Sequence, residues 1–198
     1  MKTIIVIPTY NEKENAGILT KKIFALNITN LELLFVDDCS PDGTAEVIKN
    51  LQKTHPIHLI EREKKLGLGS AYVAGFKMAL ELGADYVFEM DADLSHDPSD
   101  IPKLLNVCQN GADLAIGSRK ITGGGIEGWN WERKLMSDSA MWFARSILGL
   151  KTKDVTAGFR CFKRQVLENI DLKKIKSNGY AFQEELLFRT QKNGFTIV

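Results

Sequence analysis

The stretch VFEMDADLSHDP, Val87–Pro98, decides how this chain is read. With Tyr86 before it, Tyr86–Met90 is a short apolar run of strand-forming residues, which predicts a buried strand. The strand runs into Asp91-Ala92-Asp93. Alternate side chains of an extended segment share a face, so both carboxylates are expected at the strand's carboxyl end. Two like charges ~4 Å apart repel by ~4 kcal/mol at an effective dielectric of ~20. Such a pair needs a shared proton, an Arg or Lys, or a divalent cation. Carboxylate oxygens are hard ligands, so the cation would be Mg²⁺ or Mn²⁺. A metal held this way can clamp a diphosphate and neutralise it as it leaves. The competing reading is a surface turn, because Ser95, Asp97, Pro98 and Ser99 are turn and helix-cap residue types, with Ser99 the expected cap of the next helix.

Working outward, the same strand-then-turn pattern recurs. Thr3–Ile7 reads as a first buried strand stopped by Pro8, with Thr9–Glu12 a polar turn. Leu31–Val36 is a second strand, ended by Asp37-Asp38, and Thr44 is the expected N-cap of the helix that follows. Ile57–Ile60 and Leu114–Gly117 are further strands. Helical spacing over Asn15–Leu26, Thr44–Gln52, Ser70–Leu82 and Ser99–Asn110 separates them. Apolar strands alternating with helices predict an α/β fold, a mostly parallel sheet with helices on both faces. Ligands of such sheets bind beyond the carboxyl ends of the strands. That rule selects Pro8–Glu12, Asp37-Asp38, Lys64–Ser70, Asp91–His96 and Ser118-Arg119. The Lys64–Ser70 loop is basic and glycine-rich and opens a helix. Either its N–H groups cradle an anion or its glycines only permit a tight turn. It matches neither the P-loop nor the G-x-G-x-x-G fingerprint, since Tyr72 stands at the third glycine position.

The chain has 198 residues, 44% hydrophobic and 26% charged, with net charge +1. That suits one soluble α/β domain over 1–198 and argues against a nucleic-acid partner. Three scattered cysteines form no C-x-x-C site and fit a reducing compartment. No signal peptide is expected, since Lys2 is followed at once by a strand-like run, and no run of ~20 apolar residues is seen in this sequence. Beyond Arg119, a glycine-rich segment with Trp129 and Trp131 has the make-up of a closing loop or a membrane contact. The helical pattern at Lys134–Leu148 has an apolar stripe suited to a core or to a membrane face. Val155–Phe162 alternates as an edge strand would, and Ala181–Gln191 is a last helix. Thr196–Val198 reads as a strand that stops abruptly, so the chain is expected to be cut short of its natural end.

Seven blocks in order carry a resemblance: IPTYNEKEN (Ile7–Asn15), VDDCSPDGT (Val36–Thr44), REKKLGLGSAYVAGF (Arg62–Phe76), MDADLSHDP (Met90–Pro98), GSR (Gly117–Arg119), GWNWERK (Gly128–Lys134) and TAGFRCFKRQVLE (Thr156–Glu168). Together they resemble the polyprenol-phosphate mannosyltransferases, which include the dolichol-phosphate mannose synthases of glycosyltransferase family two. The resemblance implies the GT-A fold and an inverting transfer of mannose from GDP-mannose to a polyprenyl or dolichyl monophosphate. It places Pro8, Tyr10, Glu12, Val36 and Asp38 at the guanosine. It places Asp91, Ala92 and Asp93 at the metal and diphosphate, Arg119 at the nucleotide sugar, and Arg133 near the acceptor phosphate. Some members carry Gln where Ser95 stands, and the family continues past Val198 with a strand and a loop bearing an Arg and a Lys. The lipid acceptor implies a peripheral protein on the cytoplasmic side of a membrane.

The chemistry agrees with that assignment. A phosphate monoester, with its second pKa near ~6, attacks without a strong general base. Asp91, Asp93 and Arg119 are therefore expected to act by positioning and electrostatics. His96 is expected to support the acid pair, and Glu185 either lines the acceptor side or is a charge on a solvated helix. Three alternatives are weighed. One is a sister transferase using UDP-glucose or another sugar nucleotide. Another is a nucleotide-sugar-binding module without activity. The third, a dehalogenase-type phosphatase, is disfavoured because the first strand carries no Asp.

Overall fold

Strand β1 (Thr3–Thr9) forms the middle of the sheet, because its run of β-branched residues is buried on both faces. The computed structural model describes residues 1–118, 149, 150, 152, 154–175, 177 and 179–198. The other strands are β2 (Leu31–Asp37), β3 (Ile57–Glu61), β4 (Tyr86–Glu89), β5 (Leu114–Ile116) and β6 (Arg160–Lys163). Among the described residues they lie in the order β3-β2-β1-β4-β6-β5. β1 pairs in parallel with β2 and β4, and β2 with β3. β6 runs antiparallel between β4 and β5.

Helices α1 (Lys13–Phe24), α2 (Thr44–Leu51), α3 (Leu68–Glu81), α4 (Ile101–Gln109), α5 (Arg164–Asn169) and α6 (Tyr180–Lys192) cover both faces. Strand alternation sorts them. Ile4 and Val6 share a cluster with Tyr72 and Phe76 of α3 and Phe182 of α6. Ile5 and Ile7 share the opposite cluster with Leu19 and Ile23 of α1 and Leu104 of α4. The α/β expectation is thus met, with one reversed strand. No helix among the described residues is long and apolar enough to cross a membrane.

Four local expectations need correction. Pro8 lies inside β1, opposite Val36 of β2. Its missing N–H falls on the β4 side, beyond the last β1–β4 pair at Val6 and Glu89, so no ladder bond is lost. Thr44 is the first helical residue of α2, and Gly43 at φ 89° is the N-cap. Asp42 supplies the capping oxygen instead, accepting the Thr44 N–H at 3.0 Å. Likewise Asp97, not Ser99, caps the helical turn Pro98–Asp100. Finally, β6 is internal rather than an edge strand; its Arg160 is fully buried. Ile197 bridges Leu114 in parallel, so the strand-like end at Thr196–Val198 lies along β5.

Candidate active site

The strand order reverses between β1 and β4, and a crevice opens beyond their carboxyl ends. Its volume is about 280 Å³. Pro8, Tyr10 and Glu12 wall it after β1, Asp38 after β2, and Asp91 with Asp93 after β4. Lys65, Gly67 and Leu68 close it from the glycine-rich loop.

Asp91 and Asp93 do not sit on an extended strand as the alternation argument assumed. β4 ends at Glu89, and the pair lies in a bend that Leu94 closes at φ 64°. They still reach the same crevice. Leu94, Cys39 at φ 60° and Asn11 at φ 61° follow the ends of three neighbouring strands. Left-handed backbone at non-glycine residues costs ~1–2 kcal/mol each and gathers where surrounding structure enforces it, commonly at ligand sites.

Each carboxylate is gripped from behind. The Tyr72 hydroxyl donates to Asp91 Oδ1 at 2.9 Å. Burial, then the charges of Asp91 and Glu89, push the Tyr72 pKa well up, so it stays a phenol donor. The Asp91 N–H donates to His96 Nδ1 at 3.2 Å. A ring nitrogen that accepts carries no proton, so neutral His96 holds its hydrogen on Nε2, 4.0 Å from Asp91 Oδ2. His96 stacks on Phe159 with centroids 5.1 Å apart. Asp93 is exposed, and its Oδ1 accepts the Ser95 N–H at 3.0 Å. Behind them, Glu89 is fully buried. Burial raises its pKa to about 8, against the pull of Arg160.

The donor set fits a hard divalent cation. Among the described residues no third acid or His joins the pair. Mg²⁺ sites at nucleotides commonly take one or two carboxylates, and phosphate and water supply the rest.

The remaining candidates divide. Tyr10 is 37% exposed, and Lys65 Nζ sits 3.5 Å above its ring centroid. Glu12 accepts from Asn15 Nδ2 at 2.7 Å while facing the crevice. Asp38 lines the crevice, but its Oδ2 accepts the Leu66 and Gly67 N–H groups at 3.0 and 2.8 Å. Its Oδ1 lies 2.8 Å from Arg62 Nη1, close enough to pair though out of hydrogen-bond alignment. The glycine loop therefore turns its N–H groups on Asp38, and Gly69 packs where a side chain would strike Ser177 and Phe182. Asp37 is buried, accepting from Thr9 and Ser40, and does not face the crevice. Val36 is also buried, beneath α3, and does not line it. Glu185 is occupied too: Ser177 and Arg189 donate to its two oxygens. Arg119, Arg133, Trp129, Trp131 and the helix expected at Lys134–Leu148 lie outside the described residues. Sequence reasoning missed Tyr72, Glu89 and Arg160. The visible signal was a charged Glu89 inside an apolar strand.

The sequence pattern of Glycosyl transferase family 2 matches residues 4–171. The chain belongs to that family. It is 43% identical over 199 residues to the polyprenol monophosphomannose synthase of Mycolicibacterium smegmatis, covering 100% of this chain and 75% of that protein. It is 41% identical to the undecaprenyl-phosphate mannosyltransferase of Micrococcus luteus, covering 100% of this chain and 81% of the other. The dolichol-phosphate mannosyltransferase of Pyrococcus furiosus is 41% identical over 192 residues, which is 96% of this chain and 53% of that one. These are the hexosyltransferases that the seven blocks resemble. Among solved structures, Mycobacterium tuberculosis glucosyl-3-phosphoglycerate synthase with Mg²⁺ and uridine diphosphate superposes at TM-score 0.73 and 19% identity, covering 100% and 68% of the two chains. Staphylococcus aureus TarS superposes at TM-score 0.72 and 16% identity, with this chain spanning 58% of it. Both share the GT-A fold of this family 2 chain.

Proposed function

We propose that the protein moves mannose from GDP-mannose to a polyprenyl (dolichyl) monophosphate, with inversion, releasing GDP. The observation that carries this is the placement of Asp91 and Asp93 on one crevice with Pro8–Glu12 and Lys65, in a chain whose relatives are mannosyltransferases of lipid phosphates.

Tyr10, Glu12 and Pro8 would hold the guanosine, with Lys65 the cation on the crevice wall among its described lining residues. Asp38 fixes the loop that bears Lys65. Asp91 and Asp93 would hold Mg²⁺ or Mn²⁺, which when bound supplies neutralisation of the departing diphosphate. Tyr72 and His96 keep Asp91 aimed while charge builds on the leaving group. An ionised oxygen of the lipid phosphate attacks the anomeric carbon. The carbon–oxygen bond to the diphosphate breaks, and its electron pair leaves with GDP. The nucleophile arrives already deprotonated, so no side chain need take a proton. Arg119 and Arg133 are proposed at the donor diphosphate and the acceptor phosphate. The acceptor places the protein peripherally at a membrane surface, on the cytoplasmic side.

The test is a transfer assay with a short polyprenyl phosphate and a panel of GDP-mannose, GDP-glucose and UDP-glucose. GDP-mannose should be transferred fastest, and chelation of divalent metal should stop it. Faster transfer from UDP-glucose would overturn the donor assignment. Donor binding without any transfer would overturn the enzyme.

A further inference from the structure

Arg160 has no solvent exposure, in the strand between β4 and β5. Arginine is almost never buried this deeply unless a specific geometry demands it. Its register partner on β4 is Glu89, two residues before Asp91. The guanidinium Nε lies 3.9 Å from Glu89 Oε2, too far for a hydrogen bond. Glu89 is equally buried; neither of its oxygens meets a partner in good hydrogen-bond geometry, and the Gln183 side chain is the other polar group that faces it. A buried acid–guanidinium pair so poorly joined is a weak source of stability. The strong bonds of Arg160 go elsewhere. Nη2 donates to Val155 O at 2.9 Å and Nη1 donates to Gln183 O at 3.0 Å.

Those two bonds lead back to Asp91 by three routes. Val155 opens the segment ending in Gly158 and Phe159. Gly158 stands against Asp91: a side chain there would begin 3.3 Å from Oδ2. Phe159 stacks on His96, which accepts the Asp91 N–H. Gln183 follows Phe182 on α6, and the Phe182 ring stacks on Tyr72, 5.8 Å between centroids and 4° apart in plane. Tyr72 in turn donates to Asp91 Oδ1. Gly158 and Phe159 thus follow one Arg160 acceptor and Phe182 precedes the other, so Arg160 reaches His96 and Tyr72 through the rings stacked on them.

We propose that Arg160, seated on Glu89, is the positioning residue that sets Asp91 for the diphosphate-bound cation. It acts through Gly158, His96 and Tyr72 and touches no substrate. The inference rests on the function proposed above. Removing one charge of a buried pair destabilises strongly, whereas replacing both by apolar residues is commonly neutral or stabilising. The double variant Glu89→Leu/Arg160→Met therefore separates folding from positioning. Its melting temperature should stay near wild type, while Mn²⁺ affinity in the presence of GDP, read by electron paramagnetic resonance, should fall ~10–100-fold. In the transfer assay kcat should fall with it, and KM for the lipid phosphate should not move. Should the double variant fail to fold, Arg160→Lys decides. It keeps the charge but not the fork, and it should show the same loss of Mn²⁺ affinity. A folded variant with wild-type Mn²⁺ affinity and kcat overturns the proposal, as does wild-type protein that binds no Mn²⁺ with GDP. Wild-type protein that binds Mn²⁺ and GDP but transfers nothing counts against the proposed function alone, because the affinity comparison still reads the positioning.

Discussion

Asp93→Ala is expected to lower mannosyl transfer by ~10³-fold or more while leaving the fold intact. The two halves of that expectation come from different observations. Asp93 is exposed, and its one hydrogen bond closes its own turn at Ser95. Surface changes of that kind shift stability by no more than ~0.5 kcal/mol. Functionally, however, it is half of the carboxylate pair on the crevice. With no third acid or His completing a metal-binding group with the pair among the described residues, its loss cannot be covered by a neighbour. The check is a transfer assay and a thermal melt on the same preparation. Full activity in a folded Asp93→Ala protein would remove the pair from the mechanism.

The second large effect concerns folding. Gly75→Val is expected to destabilise by ~3 kcal/mol or more, lowering the melting temperature by ~6–12 °C. Gly75 lies in α3, where the helix crosses β1 and β2. A methyl built there would overlap Val6 Cγ1 and stand 3.3 Å from Val36 Cγ2. Both valines are fully buried in central strands and have no room to retreat. Gly75→Ala should be milder, because the better helix propensity of Ala offsets ~1 kcal/mol of the overlap. Differential scanning calorimetry orders the three proteins. A Gly75→Val melt equal to wild type would mean that α3 does not press on the sheet this closely.

What the sequence could disclose followed physical lines. Strands buried on both faces must be apolar throughout, so TIIVI and LELLFV were readable without any tertiary information. The acidic strand ends were readable too, because their position after such runs puts them on one edge. β6 was misread because a charged residue within an alternating run usually marks an exposed edge, and Arg160 inverts that rule by being buried on Glu89. Ser99 and Thr44 were good cap types, but Asp97 and Asp42 beside them reach the backbone N–H groups that matter. The aim of Asp91 was readable only in part, through His96, expected beside the acid pair. It depends as well on Tyr72 and Gly158, which local pattern treats as an interrupted glycine motif and a loop glycine. Asp38 shows the limit from the other side. Its residue type and position fit nucleotide binding, yet the loop residues Leu66 and Gly67 already donate to it.

The most direct measurement is anomalous diffraction at the manganese edge from crystals grown with GDP and Mn²⁺. One manganese peak is predicted between Asp91 and Asp93, touching the diphosphate, with the guanine beside Tyr10. A diphosphate bound in the crevice with no manganese at these two carboxylates, or manganese bound only elsewhere, would contradict the account.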